Sequence, residues 1–189
     1  MHVEVKDNHV INEVLGGNTS AYSDLVDKYK SYVYTIAYKI LNNDEDAEEA
    51  AQDTFIKGYQ ALSSFSGKSK YSTWLYRIAF NTSISYKRKR RIEVSGLESI
   101  EHQISSNDDT SINLKKQDQR AVIEKALHAL NPLDSTIITL FYLKERNLEE
   151  ISQITGLKIS AIKVKLFRSR KRMAEKLKDH LSEEVANIL

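Results

Sequence analysis

The chain has 189 residues, 41% of them hydrophobic and 29% charged, with 28 Lys and Arg against 26 Asp and Glu and no cysteine. That is enough apolar sequence for one domain or two small ones, and the lack of cysteine excludes disulfides, thiolate metal sites and a cysteine nucleophile. No stretch of about 18 apolar residues and no basic-then-apolar leader occurs, so no membrane insertion is expected and the cytoplasm is the expected compartment.

Charge is unevenly spread: the chain reads +2 over residues 1–91, −4 over 92–119 and +4 over 120–189. With one proline and six glycines, and apolar residues recurring at steps of three and four, the expected fold class is all-α. From about Ser20 to Leu41, the residues Ala21, Leu25, Tyr29, Val33, Ile36 and Ile40 form one continuous stripe. Asp44 is the expected N-cap of a second helix running to about Leu62, with Asp46, Glu48 and Glu49 near its positive start. "SSFSGKSKYS" interrupts it, and a third helix is expected from about Thr73 into the basic run "YKRKRR" at 86–91. Period and apolar density then fail over the Ser-, Asn- and acid-rich segment that follows, which reads as a linker. Helical spacing resumes at Ala121, and "NP" supplies Asn131 as an N-cap and Pro132 as a first helical residue. The organisation is therefore two small helical domains, 20–91 and 120–178, joined by an acidic linker, 92–119.

In "NLEEISQITGLKISAIKVKLFRSRKRM", Leu148, Ile151 and Ile154 mark a short helix and Thr155, Gly156 and Leu157 a tight turn. Ile162, Leu166, Met173 and Leu177 are the buried stripe of a longer helix. This is a helix-turn-helix pattern, leaving Lys163, Lys165, Arg168 and Arg172 on solvent-facing arcs. Such cations can neutralise phosphates and donate to guanine edges in a major groove; they can also simply solubilise a bundle helix. On the second helix, Asp46, Glu49 and Asp53 share one face, which suits a basic protein partner or plain solvation. "FSGKSKYSTWLY" interleaves Phe65, Tyr71, Trp74 and Tyr76 with Lys68, Lys70 and Arg77. That mixture suits single-stranded DNA, in which rings stack on bases and cations hold the backbone; Trp74 equally fits a core stripe.

In this order, these segments resemble a bacterial RNA polymerase sigma factor of the extracytoplasmic function group. "GNTSAYSDLVDKYKSYVY" is similar to the family's opening helix and "DAEEAAQDTFIKGYQAL" to its polymerase-binding helix. "FSGKSKYSTWLYRIAFNTSISYKRKRR" is similar to its promoter-opening segment, and the helix-turn-helix to its −35-reading unit. The resemblance implies that Asp46, Glu49, Gln52 and Asp53 grip the coiled coil of the polymerase β′ subunit, with the β subunit a further partner. It implies that the loop from Phe65 to Tyr71, with Lys68 and Lys70, takes a flipped base of the −10 element. Asn81 helps to hold that base, and Lys87 and Arg88 hold the backbone nearby, unless the run caps a helix end instead. Lys163, Val164, Phe167, Arg168 and Lys171 meet the −35 duplex. Val164 stands where relatives often carry serine and Ala161 where they often carry threonine, so Val164 offers an apolar contact to a thymine methyl instead. The family also implies an anti-sigma partner.

No catalytic residue, metal site or cofactor is expected. The histidines at 2, 9, 102, 128 and 180 lack ligand spacing, and there is no phosphate-binding glycine loop. A stand-alone helix-turn-helix regulator and a non-DNA-binding interaction module are the competing readings.

Overall fold

The computed structural model describes the backbone of residues 2–95 and 122–188 and the side chains of 7–92 and 122–178. Every regular element among the described residues is helical. Helix α1, His2–Leu15, is an addition to the expected elements. Its Ile11 and Val14 enter the core, and Asp7 is buried with them, its Oδ2 accepting from the Tyr29 hydroxyl at 2.5 Å and its Oδ1 from Lys28.

Helix α2, Tyr22–Leu41, buries the predicted stripe on one face, with Leu25, Val33, Ile36 and Ile40 at most 2% exposed. Fully burying a side chain of this size contributes about 2 kcal/mol, so this stripe is what holds the bundle together. Helix α3, Asp44–Gln60, is capped by Asn43, whose side chain accepts from the Asp46 N–H; the cap falls one residue before the expected Asp44. Asn42 just before it is in the left-handed region (φ 54°), closing α2, and this leaves Asn43 extended with its carbonyl oxygen aimed at the new helix. Gly58 lets α3 approach its neighbours: a Cβ there would stand 2.9 Å from the Tyr22 hydroxyl and 3.2 Å from Leu75.

Helix α4, Tyr71–Ser95, starts two residues earlier than expected and runs through the basic stretch, past the expected linker boundary at 92. The rest of that linker, from residue 96, lies outside the described residues. Helix α5 spans 122–128, and α6, Pro132–Ile138, has the predicted Asn131 cap, the Asn131 side chain accepting from the Asp134 N–H at 2.9 Å. It continues as a wider π-helical turn over Thr139–Leu143. Helix α7, Leu148–Thr155, carries a complete capping box between Asn147 and Glu150, and α8, Ile159–Ile188, follows the Gly156 turn.

The two helical groups share a core. Helix α7 lies against α4 and α6 against α2, so Leu75 and Tyr76 of the first group belong to the same apolar cluster as Ile137, Ile151 and Ile162 of the second.

Candidate nucleic-acid interface

The turn between α7 and α8 depends on Gly156, which has φ +74° and sends its N–H to the Ser152 carbonyl at 2.8 Å. A side chain at that φ is strained, so glycine is the residue that lets the chain turn here. Ser152 Oγ donates to the Leu157 carbonyl at 2.7 Å, tying the turn to α7. On α8, Ile162, Leu166 and Ser169 face inward and Met173 is half-buried, which leaves Lys163, Val164, Phe167, Arg168 and Lys171 exposed on one face. Phe167 is 64% exposed and Val164 48%, so two apolar residues stand between cations in water. Lys165, expected on a solvent-facing arc, is instead half-buried: Asp134 of α6, itself buried, accepts from its Nζ at 2.7 Å. The reason is angular, since Lys165 sits one residue before the buried Leu166 and three after Ile162.

The loop before α4 divides in character. Phe65 is half-buried with its ring 5.7 Å from Tyr71 and 5.4 Å from Trp74, while Tyr71 is 3% exposed and belongs to the core. Lys68 and Lys70 are exposed, and Asn81 is exposed farther along α4. Ten residues of helix separate Asn81 from Tyr71, about 15 Å of axis, so the loop and Asn81 do not form one compact pocket. A pocket of about 230 Å³ does open beside the loop, lined by residues 67–71 and by Asp7 and Asn8 of α1.

The second helical group reaches this loop through residues that the sequence pattern did not single out. Glu150 of α7 pairs with Lys70 at 3.3 Å and with Arg146 at 3.5 Å, and Arg146 lies 5.3 Å over the Tyr76 ring and within 3.4 Å of the Ser72 hydroxyl. Lys144 sits 3.9 Å over Tyr32. Burial pushes the Glu150 carboxyl up, but the Asn147 N–H and the Lys70 and Arg146 cations outweigh it and hold the group below the ordinary carboxylate range. Burial pushes the Lys144 amine down, with the Arg146 charge acting in the same direction. The clasp is imperfect, because Arg146 Nε is buried with no hydrogen-bond partner.

On α3, Glu49 and Gln52 are exposed and Asp46 and Asp53 half-buried along one face, as the spacing predicts. The basic run crosses that face. Arg90 pairs with Asp46, Tyr86 donates to Asp53 Oδ2 at 2.8 Å, and Lys87 donates to the Ile40 carbonyl at the end of α2, also at 2.8 Å. Lys87 thus satisfies a carbonyl in the last turn of a neighbouring helix, and burial lowers its amine's pKa. Arg88 and Arg91 are exposed.

Two sequence families match the chain: Sigma-70 region 2 over residues 25–92 and Sigma-70, region 4 over 120–173. It is 33% identical over 181 residues to the ECF RNA polymerase sigma factor SigW of Bacillus subtilis, covering 89% of this chain and 95% of that one. It is 27% identical to the RNA polymerase sigma-H factor of Pseudomonas aeruginosa, over 97% of this chain and the whole of the other. Among solved structures, the sigma factor RpoE in complex with the anti-sigma factor NepR from Bartonella quintana superposes with a TM-score of 0.66 at 26% identity. That match covers 83% of this chain and 96% of the other. CnrH, in complex with the cytosolic domain of CnrY, has the same fold at 20% identity, with a TM-score of 0.65 over 92% of this chain.

Proposed function

The chain belongs to the sigma-70 family of RNA polymerase initiation factors, in its extracytoplasmic function group, and from that premise we propose how its surfaces share the work. As a sigma factor it directs core polymerase to promoters and lends the enzyme specificity, while the chemistry belongs to other subunits. The observation that carries the assignment of surfaces is the exposed face of α8, where Phe167 and Val164 stand in water among Lys163, Arg168 and Lys171. No core explains an aromatic ring left that open. The −35 major groove does: cations meet phosphates and guanine edges, and Val164 meets a thymine methyl.

Asp46, Glu49, Gln52 and Asp53 form the polymerase-binding face, opposite in charge to the basic β′ coiled coil. Lys68 and Lys70 hold the −10 backbone beside the loop, and Asn81, about 15 Å farther along the helix, touches a neighbouring nucleotide rather than the same base. The domain bounds 20–91 and 120–178 follow the same division.

The packed arrangement is not the promoter-bound one. The −35 and −10 elements lie about 25 base pairs apart, or about 85 Å at ~3.4 Å per base pair. A folded chain of this length has a radius of gyration of about 16 Å, so it is about 40 Å across. Both elements are engaged only when α7 leaves α4, and polymerase provides the differential binding that favours the separated form. An anti-sigma factor, the partner of RpoE and of CnrH's kind, is the expected inhibitor, covering the polymerase-binding surfaces.

The test is transcription by core polymerase and purified chain on a promoter library. Initiation that depends on the added chain is the expected result; an active core that ignores it would sink the proposal.

A further inference from the structure

The pocket beside the loop has one wall that sigma-70 region 2 does not contain. Region 2 begins at residue 25, whereas Asp7 and Asn8 come from α1. The wall is fixed: Asp7 is 5% exposed and anchored by the Tyr29 hydroxyl and the Lys28 amine, one bond to each carboxylate oxygen. Asn8, the next residue on the helix, is exposed at the rim and is held at a set height by that anchor.

We propose that Asp7 and Asn8 form the specificity wall of the base pocket and select an unstacked base carrying an exocyclic amino group beside a ring acceptor, adenine or cytosine. The inference rests on the reading that the 65–71 loop receives an unpaired −10 base. An extruded base needs a flat neighbour and polar groups along its pairing edge. Tyr71, which lines the pocket, supplies the ring, and the Asn8 carboxamide supplies a donor and an acceptor side by side, the pattern that pairs with an amino group and an adjacent ring nitrogen. A carboxamide alone would turn over to suit thymine equally well. Asp7 breaks the tie: it presents acceptors only, with lone pairs beyond its two bonds, so it welcomes an amino group and repels a carbonyl oxygen. Lys68 and Lys70 at the mouth offset the approach of a phosphate to this acidic wall.

The experiment uses the full chain with core polymerase on promoters carrying each of the four bases at every −10 position. The wild-type chain initiates best with adenine or cytosine at one position, by about fivefold or more over thymine. Asn8→Ala reduces that preference to near unity and leaves the ranking at the other positions and at −35 as it was. Asn8→Asp, which keeps the acceptor, retains the amino preference. An Asn8→Ala profile identical to wild type, or an equal loss at every position, overturns the pocket assignment while the sigma reading stands. A wild-type holoenzyme that initiates nowhere overturns the reading beneath it as well.

Discussion

Glu150→Gln separates the clasp from the helix that carries it. Glutamine still accepts from the Asn147 N–H, so the capping box of α7 survives and only the charge is lost. The two ion pairs, at 3.3 and 3.5 Å, are each worth about 5 kcal/mol of Coulomb attraction at an effective dielectric near 20. Most of that is offset: the Glu150 and Arg146 side chains are 12% and 17% exposed and lose solvation, while Lys70 is half in water and screened. The lowered pKa of Glu150 shows that attraction still wins, and a net of about 1–2 kcal/mol follows, so the substitution shifts the closed–open equilibrium toward open by about five- to thirtyfold. Because the chain has no cysteine, dyes can be placed cleanly at Gln60→Cys and Gln153→Cys, both exposed, and the distance between the two helical groups read by energy transfer. The same variant binds a single-stranded −10 oligonucleotide more tightly by up to that factor, since the competent fraction rises. Acid has the same effect on the wild type. A carboxyl whose folded pKa is depressed stabilises the closed form above its unfolded pKa, and that contribution is lost as pH falls through the lowered value. The Gln variant lacks this transition. An unchanged distance distribution in a folded Glu150→Gln chain would refute the clasp as the closing contact.

Replacing Asp46, Glu49 and Asp53 together by lysine weakens binding to core polymerase by at least about a hundredfold in a pull-down or fluorescence titration, while binding to −35 duplex is retained. Loss of both together would refute the division of surfaces. Lys163→Ala and Arg168→Ala each reduce the slope of log affinity against log salt on −35 duplex by about 0.9 per phosphate contact removed; an unchanged slope would show that α8 does not face the backbone.

Much of the fold was legible because it rests on local signals. The apolar stripe of α2, the Asn131–Pro132 helix start and the Gly156 turn each reduce to a few neighbouring residues with one physical meaning, and each occurs where its pattern places it. The Asn43 cap was missed by one residue because two candidate caps adjoin, and the left-handed Asn42 before them decides between the two. Helix α1 carried a signal that was passed over: Ile11 and Val14 sit at helical spacing, with a lone Asp at a position that turns out to be core. Buried polar anchors are hard to read this way, since Asp7 is satisfied by Lys28 and Tyr29 some twenty residues on. Lys165 is a similar case, because its partner Asp134 lies on another helix. The Asn147–Glu150 capping box was legible, but nothing local says that Glu150 also meets Lys70 eighty residues earlier.

The basic run shows most clearly why charge patterns underdetermine interfaces. Composition offers five adjacent cations as a DNA grip or a helix cap, and the structure divides them by helical angle. Lys87 and Arg90 are three apart and turn inward, one to the Ile40 carbonyl and the other to Asp46, with Tyr86 beside them on Asp53. Arg88 and Arg91, also three apart, remain exposed. One face of the α4 end therefore straps α2 and α3 together, and the other is open to a phosphate backbone. The strap lands on two of the four carboxylate-face residues assigned to polymerase. Because each carboxylate oxygen has more than one lone pair, Asp46 and Asp53 can accept from a second donor without giving up Arg90 or Tyr86. A basic partner on that face then adds to the strap instead of competing with it, and α4 is held at the angle that presents Arg88 and Arg91 while polymerase is bound.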